Sequence, residues 1–239
     1  MTIQTRNVDY QHEDTVLEGF LAWDDAFHEP RPGVLIAHAF RGREAFECDK
    51  AVALAELGYV GFAMDLYGKG VQAETNEQAF ALMQPFTDDR PHLQNRLRAV
   101  VQSVQTIAEI DAGRLAAIGF CFGGLCVLDL ARIGAPLQGV ASFHGILAAP
   151  GNTGGNQIDA RVLVEHGWDD PMVAPDQVLT FAEEMNKAGA DWQLHTHSQA
   201  MHSFTNPDAN DADFGTVYNA HADRRSWQSL ELFLAELFE

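Results

Sequence analysis

Positive charge is scarce in this sequence. Lys and Arg total 15 against 34 Asp and Glu, which leaves a formal net charge of −19. A surface of that sign repels phosphate backbones and anionic lipid, so neither a nucleic acid nor a membrane partner is expected. It also works against a highly anionic substrate, unless arginines gather at the site. Long apolar runs are missing as well: none approaches the roughly 20 residues a membrane span needs. The opening stretch MTIQTRNVDYQHEDTVLEGF has no basic segment followed by an apolar one, so no secretory signal is expected. Cysteine is rare. Cys48, Cys121 and Cys126 cannot all pair within one chain, which points to reduced thiols and a cytoplasmic location. Internal repeats and low-complexity tracts are also lacking.

What is present reads as one globular domain, residues 1–239. The hydrophobic share of 46% suits a packed core. Two β-rich stretches, Thr2–Tyr10 and Thr15–Trp23, open the chain. Buried strands are expected at Pro32–Phe40 and Tyr59–Gly68, around a helical pattern at Ala51–Leu57 that stops at Gly58. Residues 69–89 read as a long loop with a short helix. A helix from Pro91 carries Leu93, Leu97, Val100, Val101, Val104 and Ile107 at helical spacing. Then come strand Leu115–Phe120, helix Gly124–Arg132, strands Gly139–Phe143 and Arg161–Glu165, helix Asp176–Ala188, strand Trp192–His197 and helix Arg224–Phe238. GNTGGN, residues 151–156, reads as a surface loop. Strands alternating with helices predict an α/β fold with a mostly parallel central sheet and helices on both faces.

The strongest local signal is Gly119-Phe120-Cys121-Phe122-Gly123-Gly124, between the apolar run LAAIGF and a helical stretch. A nucleophile elbow needs that setting of strand, sharp turn and helix, with small neighbours around a strained central residue. Cys121 takes the place usually held by serine, and a helix N-terminus favours its thiolate. The plain alternative is a Gly-rich turn with an incidental buried cysteine.

An acid and a base decide between those readings, and both follow. Strand Arg161–Glu165 runs into Gly167-Trp168-Asp169-Asp170, and an acid at the C-terminal end of a parallel strand sits where ligands bind. Strand Trp192–His197 runs into Met201-His202-Ser203-Phe204. The order nucleophile, acid, base is that of the α/β-hydrolase fold. Taken singly, Asp170 before Pro171 is a turn former and His202 a polar loop histidine. Three such residues in order, each after its own strand, make a catalytic triad of Cys121, Asp170 and His202 the better expectation. The oxyanion hole is expected from the backbone N–H of Phe122 and of Phe40, the latter in the loop after the Pro32–Ala39 strand.

GFCFGG, HGWDDPMV and MHSFTNP together resemble the dienelactone hydrolase family, and the resemblance runs from PGVLIAH through DLYG to MHSF. The match of GxCxGG, GxxDxxV and HxF implies an α/β-hydrolase fold with Cys121, Asp170 and His202 at the family's catalytic positions. The GxxD spacing from Gly167 selects Asp170 over Asp169. The implied activity is hydrolysis of small-molecule esters or lactones through a thioester on Cys121, with no cofactor and no metal. The chain departs from the family's pattern twice. A Glu that activates the cysteine is replaced by Ala39; either Glu44 or another carboxylate substitutes, or the resting cysteine is primed by His202 and the helix dipole alone. The Arg that binds a lactone carboxylate four residues after the catalytic histidine is replaced by Asn206. Arg41 and Arg43, beside the expected oxyanion loop, are candidates for a substrate anion. Phe40, Phe122, Trp168 and Phe204 are candidates for an apolar substrate pocket, although core packing explains any one of them. A neutral phosphotriester is a further expected substrate, and a homodimer is compatible with the sequence.

Three rival readings remain at this point. A metal-dependent hydrolase would use His195, His197 and His202, or His38, His144 and His166 at strand ends, but no HExxH motif or carboxylate set accompanies them. A redox role for Cys121 and Cys126 lacks the CxxC spacing. A non-catalytic binding module on the same fold would show no ester turnover.

Overall fold

The computed structural model describes residues 2–239. They form two compact units: the described residues up to Ala117 together with Ala135–Leu137, and Ile118–Gly134 together with Gln138–Glu239. Among the described residues, no helix is long and apolar enough to cross a membrane.

The first unit begins with a hairpin of β1 (Ile3–His12) and β2 (Thr15–Asp24), in the antiparallel register His12↔Thr15 to Ile3↔Asp24. Glu13 makes the tight turn with a left-handed φ of 53°. β3 (Arg31–Ala37) and β4 (Val60–Ala63) pair in parallel, and β2 pairs antiparallel to β4. With the start of β5 (Ile110–Phe120) the strand order is β1-β2-β4-β3-β5. β3 and β4 are uninterrupted apolar runs because they are buried almost throughout, whereas edge strand β1 is mostly polar. Helices α1 (Ala45–Glu56), α2 (Asn76–Asp88) and α3 (Arg90–Val104) complete this unit. Its core includes Leu35, Ile36, Leu54, Phe62, Leu97 and Val100, all fully buried.

Several boundaries differ from the sequence expectation, each for a local reason. α1 begins at Ala45 rather than Ala51. Its first turn hides Glu47, which accepts the N–H of Glu44 at 2.9 Å and so closes the helix end. β4 stops at Ala63 because Asp65 then accepts the N–H groups of Tyr67 and Gly68 and turns the chain. α2 is a helix of 13 residues where a short helix within a long loop was expected. Thr75 caps it, accepting the Gln78 N–H at 3.2 Å, while Pro85 inside the helix obscures its pattern.

The second unit takes the end of β5 and adds β6 (Gly139–Phe143), β7 (Arg161–Gly167) and β8 (Trp192–His197) in the order β5-β6-β7-β8. The pairs β6/β7 and β7/β8 are parallel. Helices α4 (Phe122–Arg132), α5 (Pro175–Lys187) and α6 (Ala220–Leu237) alternate with the strands. A two-residue hairpin, β9 (Asn210–Asp211) with β10 (Thr216–Val217), was not expected. The fold class is thus as expected, an α/β-hydrolase fold with a mostly parallel sheet. The GNTGGN segment is a loop whose Asn156 side-chain amide donates to the Arg132 carbonyl at 3.0 Å. The buried Arg132 guanidinium donates to the carbonyls of Leu147 and Ala148, to Asp129 and, through two nitrogens, to Glu184.

Candidate active site

The three candidate triad residues all belong to the second unit. Cys121 joins β5 to α4 with φ 55° and ψ −114°, a left-handed backbone that a non-glycine residue rarely adopts. Its own N–H donates to the Phe143 carbonyl at 3.1 Å, and its carbonyl accepts the Gly124 N–H at 3.0 Å. The turn is possible because glycines flank it. A Cβ on Gly119 would stand 2.0 Å from the Gly123 carbonyl oxygen, and one on Gly124 would meet Gly145 Cα at 2.6 Å. The result is a cysteine at a helix N-terminus, where the helix dipole favours an anion. Phe122 opens α4, so its N–H has no acceptor within the helix, while its ring is fully buried.

β7 ends in a turn that presents Asp170. The Trp168 N–H donates to His197 at 2.9 Å, the Asp169 N–H to Ala200 at 3.0 Å and the Asp170 N–H to Gly167 at 3.1 Å. Both carboxylate oxygens of Asp170 are engaged: Oδ1 accepts the Met172 N–H at 2.8 Å, and Oδ2 lies 2.8 Å from His202 Nδ1. An ionised carboxylate only accepts, so Nδ1 carries the proton and Nε2 is left for chemistry. Asp169, by contrast, is exposed. The backbone of His202 is clamped, its N–H donating to Gly215 at 3.0 Å and its carbonyl accepting from Val217 at 3.2 Å. The short β9/β10 hairpin therefore has a purpose, which is to hold the loop that carries His202.

Burial alone would pull the His202 pKa down, but the charge of Cys121 and the contact with Asp170 override it, and the group is pushed up to about 10. Nε2 makes no hydrogen bond of proper geometry in this resting arrangement. Cys121 acts on His202 both through its charge and through a hydrogen-bonding contact that falls short of ideal geometry. Catalytic hydrogen bonds commonly tighten only when substrate arrives. His166 lies in the same neighbourhood. Burial holds its pKa below the ordinary histidine value, with Asp170 opposing and His202 and His197 reinforcing that shift.

The remaining expected residues are placed as follows. Phe204 is fully buried, with its ring 5.3 Å from the His197 ring, so it serves the packing under the site. Trp168 is half exposed, next to the Asp170 turn. Asn206 Oδ1 accepts the Asp208 N–H at 3.0 Å and shapes its own loop. In the first unit, Phe40 lies in a tight turn in which the Gly42 N–H reaches Ala39 at 3.2 Å; its carbonyl accepts the Tyr67 hydroxyl at 3.0 Å. Arg41 is occupied by the Glu74 carbonyl and by Asn76 Oδ1, and Arg43 by Glu18. Cys126 is fully buried, and Cys48 lies 3.3 Å from an Arg43 nitrogen.

Sequence reasoning missed two carboxylates. Buried Glu47 also accepts the N–H of Ala39 at 3.2 Å, and burial raises its pKa to about 7 against the pull of the Glu44 and Ala39 N–H groups. The spacing Glu44-x-x-Glu47 was the available signal. Glu165, fully buried, takes His195 on one oxygen at 3.0 Å and His197 on the other at 2.7 Å. Strand register places Glu165 opposite His195, a relationship the sequence alone does not reveal. Among the described residues, no group of three or more His, Cys, Asp or Glu side chains is arranged to hold a metal ion. A cavity of about 330 Å³ beside the GNTGGN loop, lined in part by Arg132, Thr153 and Lys187, contains none of the triad residues.

Comparison with known proteins adds a family. The dienelactone hydrolase family matches residues 17–238. The crystal structure of a dienelactone hydrolase-like promiscuous phosphotriesterase, P91, from metagenomic libraries is 35% identical. It covers 99% of each chain with a TM-score of 0.93. A Caenorhabditis elegans protein, "Uncharacterized protein K02A2.1", is 37% identical over 155 residues, 64% of this chain and 98% of its own. A Bradyrhizobium protein named "Probable 2-oxo-3-(5-oxofuran-2-ylidene)propanoate lactonase" is 24% identical over 213 residues, 85% of this chain and 83% of its own. With the match running through almost the whole sequence, this chain is an ester-bond hydrolase of the dienelactone hydrolase family.

Proposed function

We propose that the protein hydrolyses carboxylic esters or lactones of small molecules with a Cys121–His202–Asp170 triad. The observation that carries the proposal is the 2.8 Å contact of Asp170 with His202 Nδ1, combined with Cys121 in a strained left-handed turn whose charge raises the His202 pKa. Cys121 Sγ attacks the carbonyl carbon, and the tetrahedral oxyanion collapses by breaking the bond to the leaving oxygen. The imidazolium of His202 gives that oxygen its proton. His202 then takes a proton from water, the hydroxide attacks the thioester, and Cys121 leaves as thiolate. Asp170 keeps the tautomer and stabilises the imidazolium. The Phe122 N–H is a proposed oxyanion donor, by its place directly after the Cys121 turn at the start of α4. Residues 1–239 act as a single domain in this reading, since the family match runs across both units. A cytoplasmic location is supported by three free cysteines.

The substrates favoured are neutral aryl esters. Asn206 offers no cation for a carboxylate, Arg41 and Arg43 are already engaged, and Trp168 exposes an aromatic face beside the Asp170 turn. The 35% identity to a promiscuous phosphotriesterase adds neutral aryl phosphotriesters as a side reaction, with Cys121 attacking phosphorus and the aryl oxide leaving. The test is turnover of an aryl acetate, a carboxylate-bearing lactone and an aryl dialkyl phosphate, each with a chelator and after thiol alkylation. The expected ranking is aryl ester first, and all activity is lost on alkylation but kept with chelator. Activity that needs a metal and survives alkylation would overturn the proposal.

A further inference from the structure

His144 follows β6 with φ 39°, one of few non-glycine residues held in the left-handed region. Such a backbone costs on the order of 1–3 kcal/mol and persists only where its surroundings fix it. Here the His144 N–H donates to the Glu165 carbonyl at 2.8 Å, and its Nε2 lies 2.8 Å from Thr205 Oγ1. The ring is buried among three others, the Phe120 centroid lying 6.0 Å away. Its centroid is 5.2 Å from that of His202, edge-on, and 5.1 Å from that of Phe204, also edge-on. Phe204 in turn meets the His197 ring, and His197 is tied to Glu165. Apart from His202, the mechanism proposed above uses none of these groups.

We propose that His144 is a positioning residue for His202, fixing the plane of the catalytic imidazole by ring contact while Thr205 fixes His144 itself. This inference rests on the triad reading. Asp170 holds the His202 ring at its Nδ1 edge, and the tilt of the ring about that edge is set by what packs against its faces. His144 packs against the ring and fixes that tilt. Because His202 must serve both the leaving oxygen and the attacking water from Nε2, a small tilt weakens both steps and leaves substrate binding alone.

The experiment compares His144→Asn, Thr205→Val and His202→Ala with the wild type on an aryl acetate, reading kcat and KM separately. Asparagine tolerates the left-handed backbone, so His144→Asn removes the ring without forcing the turn. The expected loss in kcat is about 30- to 100-fold with KM within about twofold. Thr205→Val keeps its shape and removes one hydrogen bond, with an expected kcat loss of about three- to tenfold, also without a KM change. This variant carries the test if His144→Asn does not fold. His144→Phe, which restores a ring, is expected to recover at least part of the asparagine loss. Near wild-type kcat in both His144→Asn and Thr205→Val, or a loss borne by KM, overturns the inference while a dead His202→Ala keeps the triad. Near wild-type turnover by His202→Ala overturns both.

Discussion

Asp170 Oδ2 stands 2.8 Å from His202 Nδ1, and both side chains are buried. A charge-assisted contact out of water is stronger than a surface one and sets which imidazole nitrogen carries the proton. The neighbouring carboxylate, Asp169, is exposed and contributes its backbone N–H to the loop instead.

Asp170→Asn is therefore expected to lower kcat by about 10²- to 10⁴-fold, while Asp169→Asn stays within about threefold. The same variant shifts the pH profile. Asp170 helps to hold the His202 pKa up at about 10, so activity in the wild type should persist until pH approaches that value. Removing the carboxylate lowers the pKa, and the alkaline limb of the residual activity moves to lower pH. A pH–rate profile on both variants checks this, and reversed severity would transfer the acid role to Asp169.

Glu47 makes a prediction about stability rather than rate. Its folded pKa, about 7, lies above its ordinary 4.5, so the folded state holds the proton more tightly than the unfolded one. The stabilisation is complete below pH 4.5 and is lost as pH rises through 7. A difference of this size corresponds to about 3 kcal/mol. Denaturant unfolding between pH 4.5 and 6.5, below the range in which His202 contributes, is expected to show this decline in the wild type and to lack it in Glu47→Gln. Parallel slopes for the two proteins would show that another group titrates there.

Gly119→Ala tests the elbow as a packing problem. The added methyl would sit 2.0 Å from a backbone oxygen of the helix it faces, and backbone cannot step aside as a flexible side chain can. The expected cost is about 4 kcal/mol or more, which leaves little folded protein. Thermal unfolding of the purified variant reads it, and a melting temperature within a few degrees of wild type would mean that the turn relaxes easily.

Much of this site was legible in the sequence because its signals are local. GFCFGG combines a strand, glycines required by contact and a helix start, and the acid and base each follow a strand that shows its own pattern. β6 and β8 fall at their expected bounds because apolar alternation and turn residues frame them. The parts that were not legible are those created by tertiary packing. The ring contacts of His144 join residues nearly 60 positions apart, and the Glu165 pairing depends on the β7/β8 register. β9 and β10 are too short to show any period, yet they clamp His202. The helix expected within residues 69–89 reads as short because Pro85 interrupts its pattern, although its cap, Thr75 with Gln78, stands in plain view.

The central claim is that Cys121 is the nucleophile, and its most direct test is turnover of an aryl acetate by Cys121→Ala beside the wild type. The account predicts a fall of about 10³-fold or more, with the circular dichroism spectrum and melting behaviour of the variant close to wild type. Aryl acetate turnover near the wild-type rate by folded Cys121→Ala would contradict it.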